Sequence, residues 1–217
     1  MAETEQNAVQ PTSARNTAKK PDSTRDRILD AAEKLFAENS YEGTTLREIA
    51  KGVGIREPSL YAHFANKDAI YGAVIDRALL PFSDEMQLWD AANLTLADIH
   101  GIPRKLMELH ARHPYSAQIL HQEFSNPPQR ISPKVLQWQK RFVEQSQTFM
   151  AGLPDQQKQG LNATRVVANM VTLTNIILGY FSAQGMQQSL LDEEYDAEEA
   201  FEEQVRLVTK IFKSLLV

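Results

Sequence analysis

Residues 46–64 read LREIAKGVGIREPSLYAHF, and this stretch has the spacing of two short helices joined by a tight turn. A helix-turn-helix needs a small residue where its helices cross closely, a glycine at the turn, and apolar residues on the facing sides. Ala50 is the small residue and Gly54 is the turn glycine. The facing apolar residues are Ile49, Val53, Ile55 and Leu60. The stretch therefore predicts a helix-turn-helix whose second helix, from about Arg56 to Phe64, has the geometry that enters a DNA major groove.

Two capping boxes predict where the first helices begin. Each pairs a hydroxyl residue with an acidic residue three positions later, Ser23 with Asp26 and Thr45 with Glu48. In such a box, each residue's side chain accepts a hydrogen bond from the other's backbone N–H. We therefore expect helices to begin after Ser23 and after Thr45, the first of them ending near Ser40.

The rest of the chain also has a helical pattern. Asn66 is expected to cap a long helix that is interrupted near Pro81. Beyond Pro81 no stretch has the alternation typical of strands, and Gly and Pro residues divide it into further segments. The predicted fold class is all-α. The expected later helices lie near 84–92, 103–112, 115–125, 133–150, 161–186 and 196–216.

Composition excludes several classes of protein. The chain has 217 residues, no cysteine and a formal net charge of −5. A chain without cysteine has no disulfides, thiolate zinc site or cysteine nucleophile. The negative charge argues against a protein that coats nucleic acid non-specifically. The most apolar stretch, residues 166–181, is interrupted by polar residues and falls short of the ~18 apolar residues typical of a membrane span.

Residues 1–22 have no hydrophobic periodicity and no apolar core of a secretory signal. They predict a disordered N-terminal arm. Lys19 and Lys20 end this arm, and they are either solvated or in contact with DNA phosphate. A cytoplasmic location is expected.

The last two helices predict a packing surface. The final helix has an apolar seam that steps by four and three residues, and the helix before it is apolar on several faces and carries small residues. Two such helices either close the core of their own chain or form half of a four-helix bundle with a second copy. The dimer is the favoured interpretation. Its interface candidates are Asn175, Gly179, Ala183, Phe201, Val205, Val208, Phe212 and Leu215.

Histidines are the only group of side chains that suggests a metal. His110, His113 and His121, with Glu108 and Glu123 nearby, have ligand chemistry, but their spacing matches no short metal motif. No Gly-rich phosphate loop, nucleophile elbow or zinc-protease motif is present. We therefore expect no cofactor, no metal and no enzyme activity, and histidines that have partners or line a pocket.

Residues 24–75, about a quarter of the chain, resemble the DNA-binding domain of the TetR family of transcriptional regulators. The stretch reads TRDRILDAAEKLFAENSYEGTTLREIAKGVGIREPSLYAHFANKDAIYGAVI. The features in register are AAEKLF, Gly43-Thr44-Thr45, Ile49-Ala50, Gly54-Ile55, Leu60-Tyr61, His63-Phe64 and Asn66-Lys67-Asp68. The resemblance implies a DNA-binding domain at 23–68 and a ligand-binding and dimerisation domain at 69–217.

The resemblance also implies which residues contact DNA. Hydroxyls and free N–H groups at the start of the first motif helix suit a phosphate oxygen, and the second helix presents its first turn to the bases. Lys67 matches a phosphate contact at the start of the next helix. The expected DNA-contacting residues are Thr44, Thr45, Arg47, Arg56, Glu57, Pro58, Ser59, Tyr61, His63 and Lys67.

The chain departs from the family pattern at four positions. Arg56 replaces a Ser or Thr cap, and it reads guanine or contacts phosphate. Glu57 either accepts a hydrogen bond from cytosine or points away from the DNA. Pro58 stands where a small residue is common, which the first turn of a helix tolerates. Ala62 falls where a basic residue is frequent, which puts one backbone contact in doubt.

In this family the C-terminal domain encloses an apolar pocket with a few polar groups. The composition here favours a mostly apolar or aromatic effector. Mid-helix polar residues such as Asn169 and Thr172 either face that pocket or have partners across the dimer or on the backbone. The pocket candidates are Trp89, Met107, His110, His121, Phe124, Trp138, Phe142, Asn169 and Thr172.

The resemblance predicts a homodimeric, ligand-responsive regulator, favoured as a repressor, that binds a pseudo-palindromic DNA operator. Two rival classes remain open from the sequence. One is an all-α metalloenzyme that uses His110, His113 and His121. The other is a helical interaction protein with a vestigial helix-turn-helix and no salt-sensitive affinity for DNA.

Overall fold

The computed structural model describes residues 23–87, 96–127, 129–152 and 162–215. Within these ranges the chain forms α-helices, one short 3-10 helix at Asp192–Glu194 and no strand, so the predicted all-α class is confirmed. The predicted N-terminal arm lies outside the described residues. The helices are α1 (Thr24–Gly43), α2 (Leu46–Val53), α3 (Glu57–Leu60), α4 (Lys67–Gln87), α5 (Leu96–Arg112), α6 (Pro114–Ser125), α7 (Pro133–Gly152), α8 (Ala163–Leu191) and α9 (Ala197–Leu215).

Both predicted capping boxes are confirmed. The Ser23 hydroxyl accepts from the backbone N–H of Asp26 at 3.2 Å, and the Asp26 carboxylate accepts from the backbone N–H of Ser23 at 3.3 Å. Thr45 and Glu48 make the same pair of bonds at 3.2 and 2.8 Å. Ser40, with φ of 63°, interrupts the helical conformation of α1, where the sequence predicted its end.

The turn of the helix-turn-helix forms at Gly54. This residue has φ of 76°, a left-handed conformation that glycine adopts without steric cost, and its N–H donates to the carbonyl of Lys51 at 3.1 Å. The second helix is shorter than predicted, because α3 covers only Glu57–Leu60. Tyr61–His63 form a turn, and the Phe64 N–H still donates to the Leu60 carbonyl at 2.9 Å.

Two prolines at which the sequence predicts a helix boundary lie inside helices. Pro81 is within α4 and Pro103 is within α5. An interior proline costs about 3 kcal/mol, because its ring displaces a backbone hydrogen bond. Leu79, two residues before Pro81, and Phe82, directly after it, are both buried, so their packing offsets this cost.

Helix α6 lies at the centre of the packing. It contacts α1 and α4, the helices before and after the helix-turn-helix of α2 and α3, and it also contacts α5 and α8. Helix α9 packs on α5 and α8, and α7 packs on α4 and α8. The buried apolar residues form one continuous core from α1 to α9. Helix α4 begins at Lys67 and so crosses the predicted domain boundary at residue 68. Its buried residues, among them Ile70 and Ile75, belong to the continuous core.

Helix α8 is the longest described helix and the most apolar. By length and composition it meets the criteria for crossing a membrane, in contrast to the expectation from its polar interruptions. A core helix of a soluble protein meets the same criteria. One face of α8 packs in the core through Leu173, Ile177, Leu178 and Phe181.

The left-handed turn predicts opposite effects for two Gly→Ala substitutions. A Cβ at Gly54 meets no atom within 4 Å, so Gly54→Ala is penalised by its positive φ alone, by about 1 kcal/mol of unfolding free energy. Gly101 also has open space, but it lies inside α5. Gly101→Ala should therefore stabilise the protein by about 0.5–1 kcal/mol.

Urea unfolding of both variants at one protein concentration measures these effects. A Gly54→Ala protein as stable as the parent would contradict the left-handed turn.

Candidate nucleic-acid interface

The residues predicted to contact DNA lie in three consecutive segments: the start of α2, the helix α3 with the turn after it, and the start of α4. Buried residues below this surface, among them Ile49, Ala50, Leu60 and Phe64, hold the segments together. Seven predicted residues are exposed to solvent: Thr45, Arg47, Arg56, Pro58, Ser59, Tyr61 and His63.

The start of α2 combines a cap with free donors. The backbone N–H and the hydroxyl of Thr45 both donate to the carboxylate of Glu48, each at 2.8 Å. These hydrogen bonds hold the pKa of Glu48 below its ordinary value, so the capping carboxylate is ionised at neutral pH. The first backbone N–H groups of a helix, here those of Leu46 and Arg47, are suited to a phosphate oxygen.

Thr44 does not have the surface position that was expected of a phosphate contact. Its side chain is 1% exposed. Its hydroxyl lies within hydrogen-bonding distance of two carbonyls of α1, that of Ser40 at 2.8 Å and that of Leu35 at 3.0 Å. The last carbonyls of a helix have no helical partner, and the single O–H of Thr44 serves the carbonyls of Ser40 and Leu35 here. The threonine hydroxyl is therefore used inside the domain.

Arg56 occupies the cap position of α3 without capping it. Its backbone is extended, its side chain makes no capping hydrogen bond, and its carbonyl accepts from the Ser59 N–H at 2.9 Å. Because the Arg56 side chain makes no capping hydrogen bond, its exposed guanidinium is available to a ligand. Glu57, in the first turn of α3, is only half-exposed and the neighbouring Pro58 is exposed.

Lys67 begins α4 and is half-buried against an aromatic ring. Its ammonium lies 4.2 Å from the centre of the Tyr41 ring, a cation–π contact that restricts a long side chain. The Tyr41 hydroxyl donates to the Asp68 carboxylate. Burial, followed by this hydrogen bond, raises the pKa of Tyr41 to about 12. Asn66 caps α4 as predicted, since its side-chain oxygen accepts from the Ala69 N–H at 2.8 Å.

Two arginines of α1 support the interface through contacts that the sequence does not predict. The guanidinium of Arg27 donates to the Val53 carbonyl at 2.6 Å and so satisfies the carboxyl end of α2. The guanidinium of Arg25 lies 4.8 Å from the centre of the Phe64 ring. Both contacts join segments that are distant in sequence, so no local pattern predicts them.

Several of the pocket candidates lie along a continuous row of aromatic rings in the C-terminal half. His110 is 6% exposed, its ring centre is 4.4 Å from that of Phe82 and 5.7 Å from that of Phe181, and its Nδ1 has no hydrogen-bond partner. Burial, with the nearby His113 as the smaller cause, lowers the pKa of His110 to about 3, so the imidazole is neutral. The row continues from Phe82 to Trp138 and then to Phe142.

Other pocket candidates have different environments. Met107 is fully buried in the core, Phe124 packs against the core, and His121 is half-buried. The side-chain amide of Asn169 donates to the carbonyl of Leu215 at 3.2 Å, so its partner is the end of α9. Thr172 is exposed to solvent, which corrects its assignment to an enclosed pocket. Trp89 lies outside the described residues.

The predicted dimer residues divide into two groups. Val205 and Val208 are buried in the core of the single chain, so they are not accessible to a second copy. Phe201 and Phe212 pack beside them, and Leu215 is half-buried. The seam of α9 therefore closes the core of its own chain, which corrects the assignment of these valines. Asn175 is exposed, and Gly179 and Ala183 are half-exposed.

The outward face of α8 carries no charged residue between positions 166 and 191. A Cβ at Gly179 meets no atom within 4 Å, and the Asn175 amide donates only to the Val171 carbonyl of its own helix. Exposed apolar side chains accompany this face, and sequence reasoning missed them because a periodic pattern does not tell which apolar face is covered. The exposed large apolar residues of α8 are Val167, Val171, Met186, Leu190 and Leu191.

The histidines do not converge on one point. His110 is buried, His113 is exposed and His121 is half-buried. Among the residues that the structure describes, no group of three or more His, Asp or Glu side chains is arranged to hold a metal ion.

Comparison with known proteins places these features in context. Residues 28–74 match the family described as bacterial regulatory proteins, tetR family. Over 194 residues the chain is 26% identical to the biofilm operon icaADBC HTH-type negative transcriptional regulator IcaR of Staphylococcus epidermidis, covering 87% of this chain and 98% of the relative.

Solved structures resemble the whole fold. The fatty acid degradation regulator FadR from Bacillus halodurans has a TM-score of 0.63 at 18% identity, covering 91% of this chain and 97% of that one. AibR, in complex with isovaleryl coenzyme A and operator DNA, has a TM-score of 0.63 at 17% identity, covering 85% and 97%.

The buried hydroxyl of Thr44 predicts a stability effect without a direct DNA contact. Thr44→Val keeps the shape but leaves the carbonyls of Leu35 and Ser40 without this donor, so we expect a loss of about 1–3 kcal/mol of unfolding free energy. Thr148→Val is the matched control, because the Thr148 hydroxyl also donates to a helix carbonyl, at 3.0 Å, but is exposed. The control should change stability by less than about 0.5 kcal/mol. Urea unfolding measures both, and equal effects would show that burial of Thr44 is unimportant.

Proposed function

Because this chain belongs to the TetR family of bacterial transcriptional regulators, we propose that it is a repressor that binds a pseudo-palindromic operator as a homodimer and is released by a small-molecule effector. As a member of this family it is a transcriptional regulator and not an enzyme. A cytoplasmic location accompanies the proposal, since the operator is chromosomal DNA.

The observation that carries the proposal is the exposed surface of α2 and α3. Its polar residues project from a well-packed base, and the exposed Arg56 side chain makes no capping hydrogen bond to α3. A guanidinium in the first turn of a recognition helix can donate two hydrogen bonds to O6 and N7 of guanine. Tyr61, at 54% exposure, and His63 lie beyond α3, where contacts to phosphate are expected.

The proposed dimer joins the outward faces of α8 from two chains. Support comes from the absence of charge on that face, the open space at Gly179 and the exposed Val171. A helix face without charged residues is unusual on a solvated surface and is typical of a covered one. Two-fold symmetry then presents two copies of α3 to half-sites about one helical turn apart, ~34–36 Å, or a multiple of it.

The proposed effector site is the aromatic row around His110. A neutral imidazole whose Nδ1 lacks a partner offers one polar anchor among apolar walls, which suits an apolar or aromatic molecule with a hydrogen-bonding group. AibR, with the same fold, is described in complex with both isovaleryl coenzyme A and operator DNA. Induction follows by linkage, because an effector that prefers the DNA-incompetent conformation lowers operator affinity by the same coupling free energy.

Selection of bound sequences from random duplex DNA with the purified protein, at ~0.15 M salt, tests the function directly. A palindromic motif is expected. On the recovered duplex, Arg56→Ala should lose about 1–3 kcal/mol and relax the preference at one base pair of each half-site. Lys67→Ala should weaken binding to all sequences and reduce the slope of log affinity against log salt by about one for each subunit.

Lys213→Ala on α9 is the matched control, because it removes an exposed lysine far along the chain from the motif and should leave operator affinity unchanged. If neither Arg56→Ala nor Lys67→Ala changed the affinity, the assigned DNA-contacting surface would be wrong.

The dimer is tested by a charge on the outward face of α8. Gly179→Arg places a guanidinium where the single chain has open space, so the fold should persist while the dimer dissociates to monomers. Operator affinity should then fall by at least ~100-fold, since a monomer holds one half-site. Gly101→Arg makes the same substitution at another open helical glycine, on α5, and should remain dimeric. Sedimentation equilibrium gives the masses, and a dimeric Gly179→Arg would exclude this interface.

A further inference from the structure

A buried carboxylate of α6 accepts hydrogen bonds from α4 and from the residue that precedes α7. Glu123 of α6 is 2% exposed. Its Oε1 accepts from the hydroxyl of Tyr71 of α4 at 2.5 Å, and its Oε2 accepts from the backbone N–H of Ser132, just before α7, at 2.6 Å. Burying a carboxylate costs free energy unless its oxygens are hydrogen-bonded. The Tyr71 hydroxyl and the Ser132 N–H offset this cost for Glu123, so loss of either bond would be unfavourable.

Tyr71 connects this carboxylate to the aromatic cluster below the DNA-binding surface. Its ring meets the ring of Phe36 edge-on, with centres 5.0 Å apart, and that of Tyr41 at 4.9 Å. Burial, followed by the hydrogen bond to Glu123, raises the pKa of Tyr71 above its ordinary value, so the hydroxyl stays protonated and remains a donor. The ring of Tyr71 is thus fixed from both ends.

Tyr41 in turn holds the lysine that is assigned to a phosphate. Its hydroxyl donates to Asp68, and its ring face supports the ammonium of Lys67 at 4.2 Å. A lysine side chain loses much of its rotational freedom when it is held in this way. The contacts therefore run without a gap from Glu123 through Tyr71 and Tyr41 to Lys67.

We propose that Tyr71 and Glu123 are positioning residues for operator binding, which act by fixing the ring of Tyr41 and through it the ammonium of Lys67. The inference rests on the proposed function, because it gives these residues a role only if Lys67 contacts DNA. Since Glu123 lies on α6 and its second donor precedes α7, a displacement of either helix relative to α4 changes the support of Lys67. The same contacts thereby give the effector domain a route to the DNA-binding surface.

A double-mutant cycle on the selected operator duplex tests the proposal. Tyr71→Phe removes the hydroxyl but keeps the ring, and it should weaken operator binding about fivefold to tenfold, part of the value of a hydrogen bond to a charged group. In a Lys67→Ala background, the same substitution should change affinity by less than about twofold, because the group that it positions is gone. A loss of equal size in both backgrounds would mean a general structural effect and would overturn the proposal.

Glu123 provides a second pair of variants. Glu123→Ala removes both acceptors and should weaken operator binding at least as much as Tyr71→Phe. Glu123→Gln can accept from the Ser132 N–H and donate to the Tyr71 oxygen, so it should retain affinity to within about threefold of the parent. An equal loss for the alanine and glutamine variants would contradict a role in positioning through these two hydrogen bonds.

Tyr115→Phe is the matched control, because Tyr115 lies on α6 but is 38% exposed and takes no part in these contacts. It should leave affinity unchanged. A parent protein that selects no operator would overturn the proposed function and this role with it. A parent that binds operator, with Lys67→Ala weakened and Tyr71→Phe unaffected, would overturn the positioning role alone.

Discussion

Helix α6 is enclosed by other helices, and this constraint shapes the rest of the molecule. It packs against α1 and α4 on the side of the helix-turn-helix and against α5 and α8 on the other side. Ala117, Ile119 and Leu120 fill the core there. A helix covered on both sides cannot move without disturbing both sets of contacts, because protein interiors are close-packed. The two functional halves of the chain are therefore mechanically linked at α6.

Three polar residues of α6 form hydrogen bonds with α1 and α4. The hydroxyl of Ser116 donates to Glu33 at 2.7 Å, and the side-chain amide of Gln122 donates to the Ala37 carbonyl at 2.8 Å, so two points of α6 are fixed to α1. Glu123 adds the attachment to α4 through Tyr71. A hydrogen bond weakens steeply when its angle or distance changes, so these contacts fix the orientation of α6 as well as its position. These three contacts specify one arrangement of α6 against the DNA-binding half.

The DNA-binding half was predicted well because its determinants are local. A capping box spans four residues, the left-handed turn requires only Gly54, and helical periodicity places Ile49 and Leu60 inside. The errors arose where tertiary packing outweighs local preference. Pro81 stays within α4 because Leu79 and Phe82 pack in the core, and Thr44 faces inward because α1 presents two carbonyls to its hydroxyl.

The C-terminal half was less predictable, since its contacts join residues far apart in the chain. Periodicity identified α9 as amphipathic but could not assign the seam of Val205 and Val208 to the chain's own core. Likewise, Asn169 has a polar partner at the end of α9 that no local pattern indicates. The aromatic row around His110 draws residues from α4, α5, α7 and α8, and only the fold brings them together.

The geometry of α8 connects these parts to the proposed two-fold axis. One face of α8 packs on α6, and the opposite face is the uncharged surface assigned to the second chain. If that surface is fixed by the dimer, α8 is the stationary element against which α6 shifts. In the proposed dimer, a shift of α6 relative to α8 moves α1 and α4 with it, and the two-fold axis relates the displacements in the two subunits. Under the proposed function, a palindromic operator requires one separation between the two copies of α3, so a displacement at α6 would remove the match to the second half-site.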